Sequence, residues 1–158
     1  MVEFMELFLE TKGDPIEYQG KTLLMADDIK VEENFQAELE LISVNSSLRQ
    51  GICMDTEGEL DSGCGETGER FVFWQELWTE IEQKPLKIKG KSKNGIVTLY
   101  NCWQDESGST DYWRDNGAMI KETIGKNEYI YHCNDGEFDD DFDDLVFRLK
   151  ILEGSRED

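Results

Sequence analysis

The chain has 158 residues, 36 acidic side chains against 16 basic ones, a formal charge of −20 and a pI near 4.3. That balance argues against nucleic acid as a direct ligand and suits a cation, a basic protein partner or simple solubility. The length fits one domain, residues 1–158, and four Trp, eight Phe and five Tyr supply bulky core material that a disordered chain would lack.

The first ten residues carry no basic n-region and no unbroken apolar run, so no signal peptide is expected. Nothing approaches a membrane span, and no membrane partner is expected. The compartment stays open between the cytoplasm and release without a leader. Four Cys (53, 64, 102 and 133) show no C-x-x-C spacing, and His132 is the single His, which argues against zinc. Cys53 and Cys64 bracket a Gly-rich stretch and would pair only in an oxidising compartment; in the cytosol they would be free buried thiols.

Residues 2–11 alternate loosely and fit an edge strand or a short helix. A turn is expected at Gly13-Asp14-Pro15, and the apolar patch Leu23-Leu24-Met25 follows without a clear period. Residues 35–44 have a clean period of two: Phe35, Ala37, Leu39 and Leu41 face one way, and Gln36, Glu38 and Glu40 the other. This predicts a half-exposed strand ending in the polar turn Asn45-Ser46-Ser47, with a returning strand over 49–54. Residues 55–69, rich in Gly and without apolar periodicity, are read as loop.

Trp74, Leu77, Trp78 and Ile81 lie at helical spacing and predict a short helix near 73–82, while Phe71 to Trp74 alone would suit a strand. These aromatics are read as core, with an exposed ligand platform as the alternative. Lys84, Lys87, Lys89, Lys91 and Lys93 form the one basic patch, read as a solvated hairpin turning at Gly90 and again at Asn94-Gly95. Its alternative use is docking another copy's acidic loop, which would give a homo-oligomer. Strands are then expected over 96–100, 129–133 and 145–152, with a strand or short helix over 118–124. Short strands separated by Gly, Asn, Asp and Ser turns predict an all-β fold, an antiparallel β-sandwich of jelly-roll or Greek-key type.

Between the last two strands lies the chemistry. Seven carboxylates fall in the ten residues 135–144, immediately before the apolar strand that begins at Leu145. Packed like charges repel, and a bound hard cation offsets that repulsion most simply. Asp139, Asp141 and Asp143 share one face of an extended chain, and an all-oxygen ligand set favours Ca2+ over zinc or copper. An EF-hand is excluded: counted from Asp139, its glycine position is Asp144 and its terminal glutamate position is Lys150. No nucleophile–base set is apparent and His132 sits within a strand, so no enzyme activity is expected.

The run from Asn134 to Asp144 resembles the double-calcium loop of the calcium-dependent fucose- and mannose-binding bacterial lectins, and more broadly the acidic endings of related calcium-binding bacterial β-sandwich domains. The polar turn Asn45-Ser46-Ser47 is similar to the second signature of those lectins, and Gly154, ten residues past Asp144, stands where their chain ends. The resemblance covers residues 35–154 and leaves 1–34 as an N-terminal extension of a lectin-like core. It implies metal ligation by Asn45, Asp135, Asp139, Asp141, Asp143 and Asp144, with Asn134 as the alternative to Asp135. It also implies a carbohydrate partner bordered by Ser46, Ser47 and Asp135, its hydroxyls completing the calcium shell. The chain departs from the pattern by one extra loop residue, by lacking the lectin's first Glu, and by continuing through Ser155-Arg156-Glu157-Asp158. The expected function is therefore a calcium-dependent carbohydrate-binding protein. The alternatives are a calcium-stabilised structural or protein-interaction module and an acidic inhibitor that mimics nucleic acid.

Overall fold

The computed structural model describes residues 4–63, 65–82, 85–112, 117–135 and 142–152. Over these the chain is an antiparallel all-β sandwich with two short helices, as the turn spacing predicts. Helix α1 (Phe4–Glu10) is followed by the hairpin β1 (Ile16–Tyr18) and β2 (Lys21–Leu23), then β3 (Asp27–Lys30), β4 (Asn34–Val44) and β5 (Arg49–Asp61). Next come β6 (Thr67–Trp74), helix α2 (Glu76–Glu80) and the long strand β7 (Leu86–Gln104). Strands β8 (Thr110–Asp111), β9 (Ala118–Gly125), β10 (Glu128–Asn134) and β11 (Leu145–Ile151) complete the order.

The main sheet runs β6-β5-β7-β4-β11-β10-β9. Strand β7 organises it. One edge pairs with β5, while the other receives β4 over residues 86–91, β3 over 96–99 and β8 over 103–104. At the far end of the path, Met119 of β9 exchanges both backbone hydrogen bonds with Leu24, each 2.8 Å. Leu24 lies between β2 and β3, so the sheet curls round and returns to β7. Tyr131 and Lys121 reinforce that closure, both reaching Asp27 Oδ2, at 2.5 and 2.9 Å.

Leu39, Ile52, Met54, Leu60, Ile88, Leu99, Tyr131 and Phe147 are buried inside the curl. Trp78 of α2 joins them and donates its indole N–H to the Leu39 carbonyl at 3.2 Å, so a buried polar handle is satisfied. A second cluster joins Phe4, Phe8, Ile16 and Leu23 to Ala118 and Phe142. Residues of the region taken as an N-terminal extension thus share a packed cluster with strand β9 and with the residue just before Asp143.

Three expectations are corrected. Residues 55–69 are mostly strand: β5 continues to Asp61 and β6 begins at Thr67, with Leu60 fully buried opposite Gly68. Glycine there marks an irregular register, because Gly58 has φ +146° and an added Cβ would meet the Lys91 carbonyl oxygen at 2.0 Å. The lysine segment does not turn at Gly90 but continues within β7, whose register against β5 shifts between Ser92 and Val97, where Gly95 has φ +73°. Gly90 is small because the Phe35 ring, its cross-strand neighbour, occupies the place of a Cβ, 2.3 Å from the nearest ring atom. Strand β5 returns beside β6 and β7, not beside β4. The short helix expected near 73–82 forms over Glu76–Glu80, and Phe71 to Trp74 belong to β6, as their strand reading allows.

Candidate metal centre

Strand register assembles the site. Leu145 of β11 lies opposite Val44 of β4 and opposite Cys133 of β10. The residues just beyond those three positions, Asp144, Asn45 and Asn134-Asp135, must therefore converge at one end of the sheet. Asn45 N–H donates to the Asp144 carbonyl at 3.1 Å, and Asp135 N–H donates to Asp144 Oδ2 at 2.9 Å.

Side chains extend the network. Asn45 Nδ2 donates to Asp143 Oδ2 at 2.9 Å, and the Ser46 hydroxyl donates to Asp135 Oδ2 at 2.6 Å. The same Ser46 oxygen accepts the Leu48 N–H at 3.1 Å, so this serine is held on both sides. Ser47 is exposed. Asp135 is fully buried, and Asp144 is 2% exposed. Burial pushes the neighbouring Cys133 thiol well up, with the Asp144 charge adding to the shift. Asp139 and Asp141 lie outside the described residues.

Gln50, a residue the sequence reading passed over, ties β5 into the cluster. It is fully buried, and its Nε2 donates to Asp135 Oδ2 at 3.0 Å and to the Leu48 carbonyl at 3.1 Å. Two acceptors on the amide nitrogen fix its orientation, since a flipped amide would set oxygen against oxygen. Among the described residues, its Oε1 is buried without a hydrogen-bond partner, and so is Oδ1 of Asp143. The signal was legible: Gln50 shares its strand face with Ile52 and Met54, which placed an amide on an apolar face.

Asn134 takes a stitching role. Its Oδ1 accepts the Phe142 N–H at 3.0 Å, and its carbonyl accepts Asn101 Nδ2 at 2.9 Å. Phe142 has φ +54°, unusual for a bulky residue, and its ring lies 6.0 Å from that of Phe4. Packing under α1 therefore holds the turn that delivers Asp143 and Asp144.

The donor set is oxygen only, and its two orphaned atoms are acceptors. A bare buried acceptor costs free energy that a hard cation or a donor would relieve. These atoms fit a Ca2+ ligand set. Among the described residues, no group of three or more His, Cys, Asp or Glu side chains is placed to hold a metal ion by itself.

Elsewhere the singled-out residues settle into structure. Lys87, Lys89 and Lys91 are exposed on β7, each opposite a carboxylate: Glu38, Asp61 and Glu59 respectively. His132 Nε2 lies 3.0 Å from Glu122 Oε1. Cys53, Cys102 and Cys133 are free, buried thiols. Trp78 and Trp103 are buried, and Trp74 is half-buried. Lys84, Cys64 and Trp113 lie outside the described residues. Among the described residues, no helix is long and apolar enough to cross a membrane.

Fold and cluster together define an antiparallel β-sandwich with an oxygen-rich cluster at one end of its sheet. Comparison with known proteins gives no matching family model, no matching curated protein and no matching solved structure.

Proposed function

We propose that this β-sandwich binds calcium at the cluster formed by the Asn45-Ser46-Ser47 turn and the acidic stretch 135–144, and that the bound ion presents a carbohydrate site bordered by Ser46 and Ser47. The observation that carries the reading is the meeting of two segments 98 residues apart, Asn45 on Asp143, beside an orphaned Asp143 Oδ1. Asp139 and Asp141 would complete the shell, and vicinal sugar hydroxyls would replace calcium-bound waters in a flexible oxygen coordination.

A second reading has its own observation. Phe142 packs between the acidic stretch and α1, so calcium there would also brace the N-terminal element, as in a calcium-stabilised interaction module. A glycan array separates the two readings. Binding that is present with CaCl2 and lost with EDTA supports the carbohydrate site. Calcium binding by calorimetry with no glycan captured supports the module, and glycan binding that survives EDTA contradicts calcium-bridged recognition.

A further inference from the structure

Strand β6 ends the main sheet. Its one sheet partner among the described residues is β5, which leaves the opposite edge without a strand. A cleft of about 290 Å³ is lined by Phe71, Val72, Phe73 and Trp74 of this strand. Consecutive residues of a strand point to opposite faces, so a cleft touching all four follows the strand edge. Glu76, Leu77 and Glu80 of α2 contribute to its lining, with Arg49, Ser62 and Glu66.

Edge strands are ordinarily guarded by charge, proline or cover. Here Glu69 and Arg70 guard the first half, but residues 71–74 carry no charge, and Val72 is 37% exposed. The cleft is acidic: Glu66, Glu76 and Glu80 are exposed around it. Its one cation among the described residues, Arg49, is bound to Glu76 at 2.6 Å and stacked 4.3 Å over the Trp74 ring.

We propose that the β6 edge binds an extended basic segment of a partner protein, which adds a strand beside Phe71–Trp74. Backbone hydrogen bonds to the edge would supply affinity, and alternate side chains would supply specificity. Lysine or arginine at every second position would meet Glu66 and Glu80, while the intervening apolar residues would cover Val72 and Trp74. A second copy of this chain fits poorly, because it brings a further charge of −20 to an acidic rim.

The test uses the full chain and a blocked hexapeptide of alternating Lys and Val, followed by Trp fluorescence and amide hydrogen exchange. The expected result is saturable binding with slowed exchange at residues 71–74, weakened by about tenfold or more in the double variant Glu66→Lys/Glu80→Lys. The same peptide with N-methylated backbone amides on the edge-facing side should lose affinity to a similar extent. Three results would overturn the proposal: no binding, equal binding of a control hexapeptide of alternating Glu and Val, or affinity indifferent to N-methylation. Self-association of the free protein with residues 71–74 protected would also overturn it, in favour of a second copy on the edge.

Discussion

Asp135 shows how much one buried carboxylate does here. It receives Ser46 and Gln50 on a single oxygen, and its backbone N–H binds Asp144. Asp135→Ala would strand both donors, and a loss of about 3 kcal/mol is expected from urea denaturation. Asp143 differs, because its side chain accepts from the exposed Asn45. Asp143→Ala should cost the metal-free protein less than about 1 kcal/mol, yet remove most of any stabilisation by calcium. A variant that keeps the full calcium effect would take Asp143 out of the ligand set.

Titration at the residue scale gives a pH dependence. Burial raises the Tyr131 phenol, with Asp27 adding to it, and burial likewise raises Tyr100. Cys102 is raised by its hydrogen bond with Cys53 and then by burial, and Cys133 by burial and the Asp144 charge. All four folded values lie above the ordinary 9.0 for Cys or 10.0 for Tyr. The protonated forms are thus favoured in the fold: their stabilisation is complete below the ordinary values and is lost as pH rises through the raised ones. Urea midpoints should hold steady to about pH 8.5 and fall above it. Tyr131→Phe should lose about 1.5 kcal/mol at neutral pH and fall less steeply above pH 10.

Among the elements, β4, β7 and β11 carry the alternation that makes the fold readable. Phe35, Ala37 and Leu39 are buried as their period of two requires, and β9, β10 and β11 form within a residue or two of where their apolar runs place them. What escaped the sequence was the reason for Gly58 and Gly90. Gly90 reads as a turn but is a seat for the Phe35 ring, and such an approach belongs to the neighbouring strand. Gly90→Ala should therefore destabilise by about 2 kcal/mol, with partial recovery when Phe35 is shortened to Leu. The short helix near 73–82 was legible, and so was the strand reading of Phe71–Trp74, which have their partner in β5. Strand β11 depends on Arg148, whose guanidinium meets Glu38, Glu40 and Glu128 at 3.5, 2.9 and 3.0 Å while only 15% exposed. Arg148→Met would leave three carboxylates facing one another, and a loss of about 2 kcal/mol is expected, shrinking in high salt.

Over the whole molecule, a charge of −20 is carried by a sheet that curls back on β7, and register gathers distant carboxylates at one end of it. The sequence exposed half of that site: the acidic run beside an apolar strand, and the Asn45-Ser46-Ser47 turn after an alternating one. Their meeting follows from Leu145 lying opposite both Val44 and Cys133, which composition cannot reveal. Gln50 and Phe142 were hidden for the same reason, since each earns its role from a neighbour remote in sequence. Self-repulsion should make the protein more stable in salt. A bound divalent cation should do more than screening alone, because it also satisfies Asp143 Oδ1.

The most direct measurement is thermal unfolding at constant ionic strength in CaCl2, in MgCl2 and in EDTA. An ion that binds only the folded chain adds about 2.7 kcal/mol at a hundred times its Kd. The expected result is a melting temperature that climbs with calcium concentration, responds weakly to magnesium and returns to its starting value with EDTA. Identical melting curves in calcium, magnesium and EDTA would contradict the calcium site.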